Sequence, residues 1–241
     1  MDKIKRLQEI FDDSNRIVFF TGAGVSTESG IPDFRSQDGL YNTKYKYPPE
    51  EIISHSFFMN NPEEFYRFYK DKMIFLDAKP NAAHLKMAEL EKAGKSLGVV
   101  TQNIDGLHEM AGSKTVYELH GTIHRNYCMR CGREYSLQHI VDSDGIPRCE
   151  CGGMIKPNVV LYEEGLDSSV MNGAVRMINK ADCLVITGTS LVVYPAAGLV
   201  SYFEGKYLVV INKTPTPRDG MADLCIYDSV GKVLSQIEVR V

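Results

Sequence analysis

Ile17-Val18-Phe19-Phe20-Thr21-Gly22-Ala23-Gly24-Val25-Ser26-Thr27 opens a stretch that runs on through Gly30-Ile31-Pro32-Asp33-Phe34-Arg35. Its first four residues are β-branched or aromatic and lead into a glycine, which predicts a short buried strand. Gly22 and Gly24 then remove the Cβ from a sharp turn and allow the backbone to approach a ligand closely. Ser26 and Thr27 add hydroxyls at an expected helix start, and amides freed in such a turn form an anion site. An ordinary strand-to-helix turn carries the same two glycines, so the motif alone fixes no function. The dehydrogenase fingerprint asks for a third glycine and, about 20 residues on, an acidic group for the ribose. Thr27 and Tyr41-Asn42 stand at those places. An ordinary dehydrogenase is a poor fit.

Outward from this stretch, the same alternation returns. Leu97-Gly98-Val99-Val100 runs into Thr101-Gln102-Asn103-Ile104-Asp105, and Val116-Tyr117-Glu118-Leu119 ends at His120-Gly121. Cys183-Leu184-Val185-Ile186 ends at Gly188-Thr189-Ser190, Tyr207-Leu208-Val209-Val210-Ile211 ends at Asn212, and Leu224-Cys225-Ile226-Tyr227 ends at Asp228. Helical patterns intervene: an amphipathic N-terminal segment, one capped by Asn81 and stopped at Gly94, Ser168–Asn179, one after Pro195, and one from about Val230. Apolar strands alternating with helices predict a parallel, doubly wound α/β sheet. Ligands of such sheets bind beyond the carboxyl ends of the strands, where these polar clusters fall. Pro49-Glu50 and Asn61-Pro62-Glu63-Glu64 start helices of an insertion, with Phe65, Phe68, Tyr69 and Met73 as a packing stripe.

The chain of 241 residues carries a formal net charge of −4. That gives no overall electrostatic case for nucleic acid as a partner. No apolar run reaches membrane-spanning length, and the N-terminus lacks a signal-peptide block. The expectation is a cytoplasmic protein with no membrane partner. Four of the six cysteines are bunched as Cys128-x-x-Cys131 and Cys149-x-Cys151, with glycines after each pair. Four thiolates complete a tetrahedral Zn²⁺ shell, which makes the expected site structural and closed to water. Two disulfides, or a zinc ribbon for nucleic acid, are the alternatives. An intracellular setting opposes the first and the lack of a basic-aromatic run opposes the second. Cys183 and Cys225 lie in strand patterns and read as buried fillers.

The strand-end clusters taken with the ribbon resemble one family, the sirtuins, which are NAD-dependent protein lysine deacylases. The resemblance rests on Gly22 to Ser26, Ser29 to Arg35, Thr101 to Asp105, Glu118 to Gly121, the four cysteines, Pro157 to Val160, Gly188 to Leu191 and Val193 to Ala196, in the family's order. It implies a Rossmann-like domain over residues 1–36, 76–122 and 158–241. A smaller domain, made of a helical insertion over 37–75 and a four-cysteine zinc ribbon over 123–157, would complete the chain. It further implies that His120 is the catalytic base, with Asn103 beside it at the catalytic centre. Gln102 and Asn103 would hold the nicotinamide ribose, while Ile104 and Asp105 form the nicotinamide pocket. Ala23, Ser26, Thr27 and Arg35 would line the phosphates and nearby ribose, with Phe34 over the reacting carbon. Thr189, Ser190, Asn212 and Val230 would hold the phosphates and adenosine end. Val160, Tyr162 and Val193 would line the acyl-lysine tunnel. NAD is the implied cosubstrate, one structural Zn²⁺ the implied metal, and proteins or peptides carrying acetyl-lysine the implied partners. The products would be nicotinamide, acyl-ADP-ribose and free lysine. The oligomeric state stays open, and a monomer is compatible with the sequence.

Histidine suits the role because it titrates near neutrality. The other histidines, His55, His84, His108, His124 and His139, read as surface or packing residues. Leu161-Tyr162-Glu163-Glu164 departs from the Phe-Phe-Gly-Glu that the family often carries, which touches the peptide contacts. Family members that prefer succinyl or malonyl lysine carry Tyr-x-x-Arg on the small-domain helix. Here Tyr66 is followed by Tyr69 at the arginine's place, so uncharged acyl groups are expected to be preferred. A mono-ADP-ribosyltransferase and a non-catalytic zinc-ribbon or NAD-sensing module are the rival readings.

Overall fold

The computed structural model describes residues 2–34, 39–40 and 45–240. Its strands are β1 (Ile17–Thr21), β2 (Ser96–Thr101), β3 (Val116–Glu118), β4 (Gly121–Cys128), β5 (Glu134–Ser136), β6 (Ile155–Val159), β7 (Cys183–Thr187), β8 (Tyr207–Ile211) and β9 (Leu224–Ile226). Six of them form one sheet in the order β3-β2-β1-β7-β8-β9, and every pairing in it is parallel. Side chains alternate across this sheet as a strand's period of two requires. Ile17, Phe19, Cys183, Val185, Val209 and Ile211 face one apolar cluster, and Val18, Phe20, Leu184, Ile186 and Val210 face another.

Helices cover both faces. The first face packs against α1 (Lys3–Asp13) through Leu7, Ile10 and Phe11, and it also receives a helix that precedes β2 and one near the C-terminus. In chain order these further helices are α2 (Pro49–Ile52), α3 (His55–Asn60), α4 (Pro62–Lys72), α5 (Ala82–Lys92), α6 (Leu107–Ala111), α7 (Leu137–Asp142), α8 (Ser168–Lys180) and α9 (Val230–Leu234). Thus α1, α5 and α9 lie on one side of the sheet, while α8 and a 3-10 turn at Ala196–Tyr202 lie on the other. The chain leaves β1 toward β2 and β3, then returns to the opposite side of β1 as β7. This reversal opens a crevice above the carboxyl ends of β1 and β7, where doubly wound sheets bind ligands.

The remaining strands form an antiparallel sheet, β5-β4-β6. It shares an apolar cluster with α2, α3 and α4 in which Phe58, Phe65, Tyr66, Phe68 and Tyr69 are fully buried. Burying each such ring contributes roughly 1.5–3 kcal/mol, so α4 is held by packing rather than by its own propensity. Pro62 occupies the first turn as expected, but the Asn61 side chain makes no capping bond, because Asn61 also closes α3. Asn81 does cap α5, in a reciprocal box with His84. After Pro195 the expected helix is a 3-10 turn, in which Gly198, Val200 and Ser201 offer little helix propensity. No helix among the described residues is long and apolar enough to cross a membrane.

Candidate active site

The loop after β1 is a 3-10 turn, Ala23–Ser29, rather than the start of a longer helix. Gly30, with φ 85°, ends it by offering its amide to the Ser26 and Thr27 carbonyls. The two glycines also act differently from the sequence expectation. The Gly22 amide donates to the Thr187 carbonyl at 3.1 Å, and the Gly24 amide donates to the Gly188 carbonyl at 2.8 Å. A Cβ on Gly24 would lie 2.8 Å from Gly188 Cα, and one on Gly22 would lie 2.8 Å from the Gly188 oxygen. These glycines therefore let the loops after β1 and β7 touch, and the Gly22 and Gly24 amides are spent on the carbonyls of Thr187 and Gly188. What the turn offers a ligand is Ala23 and the Ser26 and Thr27 side chains, which line the crevice.

The segment after β2 is fixed from below. Thr21 Oγ donates to Thr101 Oγ at 2.8 Å, and the Asn103 amide donates to Thr101 Oγ at 3.0 Å. The Asn103 side chain donates to Ser26 Oγ at 3.1 Å, and Ser26 Oγ donates to Asp105 at 2.6 Å. The other Asp105 oxygen accepts from the Leu107 amide at 2.9 Å, which closes a local turn. Gln102 reaches sideways to Thr189 Oγ at 3.0 Å and thus joins the ends of β2 and β7.

His120 lies just past β3, with Nδ1 at 3.0 Å from the Gln102 carbonyl oxygen. A carbonyl only accepts, so Nδ1 carries the hydrogen and Nε2 keeps the lone pair while the ring is neutral. Burial lowers the His120 pKa, and the Gln102 carbonyl offsets part of that shift. At neutral pH the ring is an uncharged base. The carbonyl of His120 accepts from the Val160 amide at 2.9 Å, which ties the histidine to the chain leaving β6.

One cavity of about 550 Å³ collects these groups. It is lined by Ala23, Ser26, Thr27, Phe34, Gln102, Asn103, Ile104, Asp105, His120, Val160, Tyr162, Thr189, Ser190, Val193, Asn212 and Val230. Arg35 lies outside the described residues. Sequence reasoning missed Lys72, Met73 and Phe75, which also line the cavity. Met73 belongs to the stripe assigned to packing, and Lys72 and Phe75 flank it at the end of α4 with no spacing that signals a site.

Two histidines placed among surface or packing residues prove to be fully buried beneath the site. His108 Nε2 lies 3.1 Å from Thr21 Oγ, and its ring centroid is 4.8 Å from that of His84. Burial lowers the pKa of both. Asn81, the residue boxed with His84, donates to the Val25 carbonyl and to Ser29 Oγ. The pair thereby underpins both the turn after β1 and the segment after β2. Cys225 is only half-buried, because β9 is the edge strand, whereas Cys183 is fully buried as expected.

In the small sheet, the sulfur atoms of Cys128, Cys131, Cys149 and Cys151 all lie within 4.8 Å of one another. Two of the separations, Cys128–Cys151 and Cys131–Cys149, are 3.5 Å. A disulfide requires about 2.05 Å. A tetrahedral zinc with Zn–S near 2.3 Å sets its sulfurs roughly 3.8 Å apart. The four cysteines fit a zinc ion closed to further ligands, and the knuckle lies in the ribbon rather than in the cavity.

The Sir2 family model matches residues 22–195. A protein of Clostridium acetobutylicum named NAD-dependent protein deacetylase is 59% identical over 241 residues, covering 98% of both chains. A Sir2 structure with a p53 peptide and NAD⁺ is 39% identical, with a TM-score of 0.86, covering 96% of this chain and 95% of that one. Another Sir2 structure, with a deacetylated p53 peptide and 3′-O-acetyl ADP ribose, is 40% identical with a TM-score of 0.89, covering 97% and 96%. A doubly wound parallel sheet bearing a four-cysteine ribbon, with one crevice at its switch point, defines the class. The chain belongs to the Sir2 family.

Proposed function

We propose that this chain is an NAD-dependent protein lysine deacetylase that releases nicotinamide, acyl-ADP-ribose and free lysine. The observation that carries the reading is His120: a neutral, half-buried imidazole whose Nδ1–H is anchored on the Gln102 carbonyl in the wall of the crevice. The cavity has the volume of a cofactor pocket and lies at the switch point of the sheet. Ser26, Thr27, Thr189, Ser190 and Asn212 line it with neutral polar groups, which suit phosphates and sugar hydroxyls. When bound, NAD supplies the ribose carbon that takes up the acyl oxygen. His120 Nε2 would take the proton from a ribose hydroxyl as that hydroxyl attacks the acyl carbon, and its lowered pKa keeps the ring free to do so at neutral pH.

Asn103 and Asp105, locked through Ser26, hold the nicotinamide end. Val160 and Tyr162, opposite Val193, sheathe the acyl-lysine and pair with the peptide. We divide the chain into residues 1–36, 76–122 and 158–241 for the nucleotide and 37–75 with 123–157 for the small domain, which fits the shared core of α2–α4 and the ribbon. The unpaired thiols suit a reducing compartment, and we place the enzyme in the cytoplasm, acting on acetyl-lysine proteins rather than on nucleic acid or membranes. The test is an acetyl-lysine peptide incubated with and without NAD and followed by mass spectrometry. Loss of the acetyl mass with equimolar nicotinamide and acetyl-ADP-ribose supports the reading. Transfer of ADP-ribose to the peptide, or no reaction, refutes it.

A further inference from the structure

Glu163 holds a left-handed backbone, with φ 75°, a conformation that side chains bearing a Cβ disfavour. Its side chain bends toward α3, where one carboxylate oxygen accepts from the Ser56 amide at 2.8 Å and from Ser56 Oγ at 2.6 Å. Both donors are neutral, so the carboxylate is fixed in place with its charge intact. The Ser56 bonds also hold it below the usual carboxylate range. Glu164 is the opposite case. Its oxygens meet Lys156 Nζ at 3.1 Å, His55 Nδ1 at 2.8 Å and the Leu161 amide at 2.9 Å, so its charge is answered inside the protein.

Both glutamates line the cavity on the wall formed by Val159 to Leu166, and Val193, Tyr194 and Pro195 form a second wall. Among the described residues on these two walls there is no lysine or arginine. Lys72 lines the cavity from α4, and Asp71 pairs with it at 3.1 Å. Among the described residues, the peptide side of the crevice therefore presents one immobilised carboxylate at its rim that has no ion-pair partner, with His55, which is bonded to Glu164, as the group favouring its charge.

We propose that Glu163 makes this enzyme favour acyl-lysine peptides with a basic residue beside the acyl-lysine. The inference rests on the reading above, in which the peptide runs between Val160–Tyr162 and Val193. For a flanking charge roughly 7 Å from the carboxylate in a water-like dielectric, each unit of charge is worth about threefold. Exchanging a flanking lysine for aspartate then spans somewhat less than tenfold. Salt compresses that range, because the rim is exposed.

The experiment compares kcat/KM on three acetyl-lysine peptides that differ in having Lys, Ala or Asp on both sides of the modified residue. Wild type is expected to rank them Lys, Ala, Asp, with the spread shrinking in high salt. Glu163→Gln keeps an acceptor for Ser56 but loses the charge, and should collapse the Lys-to-Asp ratio toward one. Ser56→Ala loosens the clamp but keeps the charge, and should retain the ranking. A Glu163→Gln ratio equal to wild type, or a wild-type ratio that ignores salt, overturns this inference and leaves the deacetylase reading standing. No turnover of any of the three peptides overturns both.

Discussion

Gly24→Ala is the substitution whose effect the structure specifies most closely. Gly24 has no left-handed backbone to protect, so the whole effect comes from space. The added Cβ would lie 2.8 Å from Gly188 Cα, 2.9 Å from its oxygen and 3.1 Å from its carbonyl carbon, all of them backbone atoms. Carbon atoms rest about 3.5–4.0 Å apart, so the loops after β1 and β7 must separate by roughly 0.7 Å or more. Overpacking of this kind costs about 1–3 kcal/mol. For a chain of this length each kcal/mol lowers Tm by roughly 2–4 °C. Both loops border the cavity, and a shift near 1 Å in a positioned site costs on the order of 10²-fold in rate. The assay is Tm together with kcat/KM for NAD at saturating acetyl-peptide. Gly30→Ala serves as the contrast: at φ 85° its Cβ meets open space, so it should cost about 1–2 kcal/mol of strain and leave NAD kinetics near wild type. If Gly24→Ala behaved as Gly30→Ala does, with stability lost and NAD handling intact, the close approach of the two loops would not matter to the site.

Three further outcomes are expected. Cys128→Ala should abolish zinc binding and unfold the ribbon, since structural zinc in small modules contributes on the order of 10 kcal/mol to folding; zinc content and near-UV dichroism check this, and a metal-free, folded, active protein would contradict it. The pH dependence should follow His120: burial lowers its pKa, the neutral ring is the active form, and activity is lost as pH falls through a value below the ordinary ~6.5. An acid limb of kcat/KM above 6.5 would show that another group limits the reaction. Acetyl-lysine should be preferred over succinyl-lysine by on the order of 10²-fold, because a carboxylate desolvated without a partner costs several kcal/mol. Arg67 pairs with Glu64 on the outer side of α4, Lys70 donates to the Ser143 carbonyl, and Tyr66 and Tyr69 are buried in the small-domain core. Equal succinyl turnover would mean that Lys72 leaves Asp71 and enters the tunnel.

The frame of the molecule was legible because its strands are continuous apolar runs. Ile17 to Thr21 is buried at every position, and Cys183 to Thr187 likewise, so neither had an amphipathic reading to confuse it. The polar strand ends were legible for the same reason, since each apolar run stops where the sheet meets the crevice. Contacts between distant loops were not. Nothing local tells that Gly24 faces Gly188 rather than a ligand, or that His84 and His108 meet under the sheet. The first depends on the strand order, in which β7 returns beside β1, and the second on the packing of α5 against α6, which precede and follow β2. Glu163 was visible as a departure from a motif, but its left-handed backbone and its bond to Ser56 arise from the bridge between Ser54 and Tyr162. The 3-10 turn at Ala23–Ser29 carries helix-like signals and differs from an α-helix in its tighter i→i+3 bonding, closed by Gly30.

The central claim is that a neutral His120, held by Gln102, is the base for NAD-dependent deacetylation. His120→Ala tests it most directly, with single-turnover deacetylation of an acetyl-lysine peptide measured beside NAD affinity on the same preparation. Deacetylation should fall by roughly 10²–10⁴-fold while NAD affinity stays within a few-fold of wild type, because the histidine moves a proton and does not hold the nucleotide. Deacetylation at the wild-type rate would contradict the account at its centre.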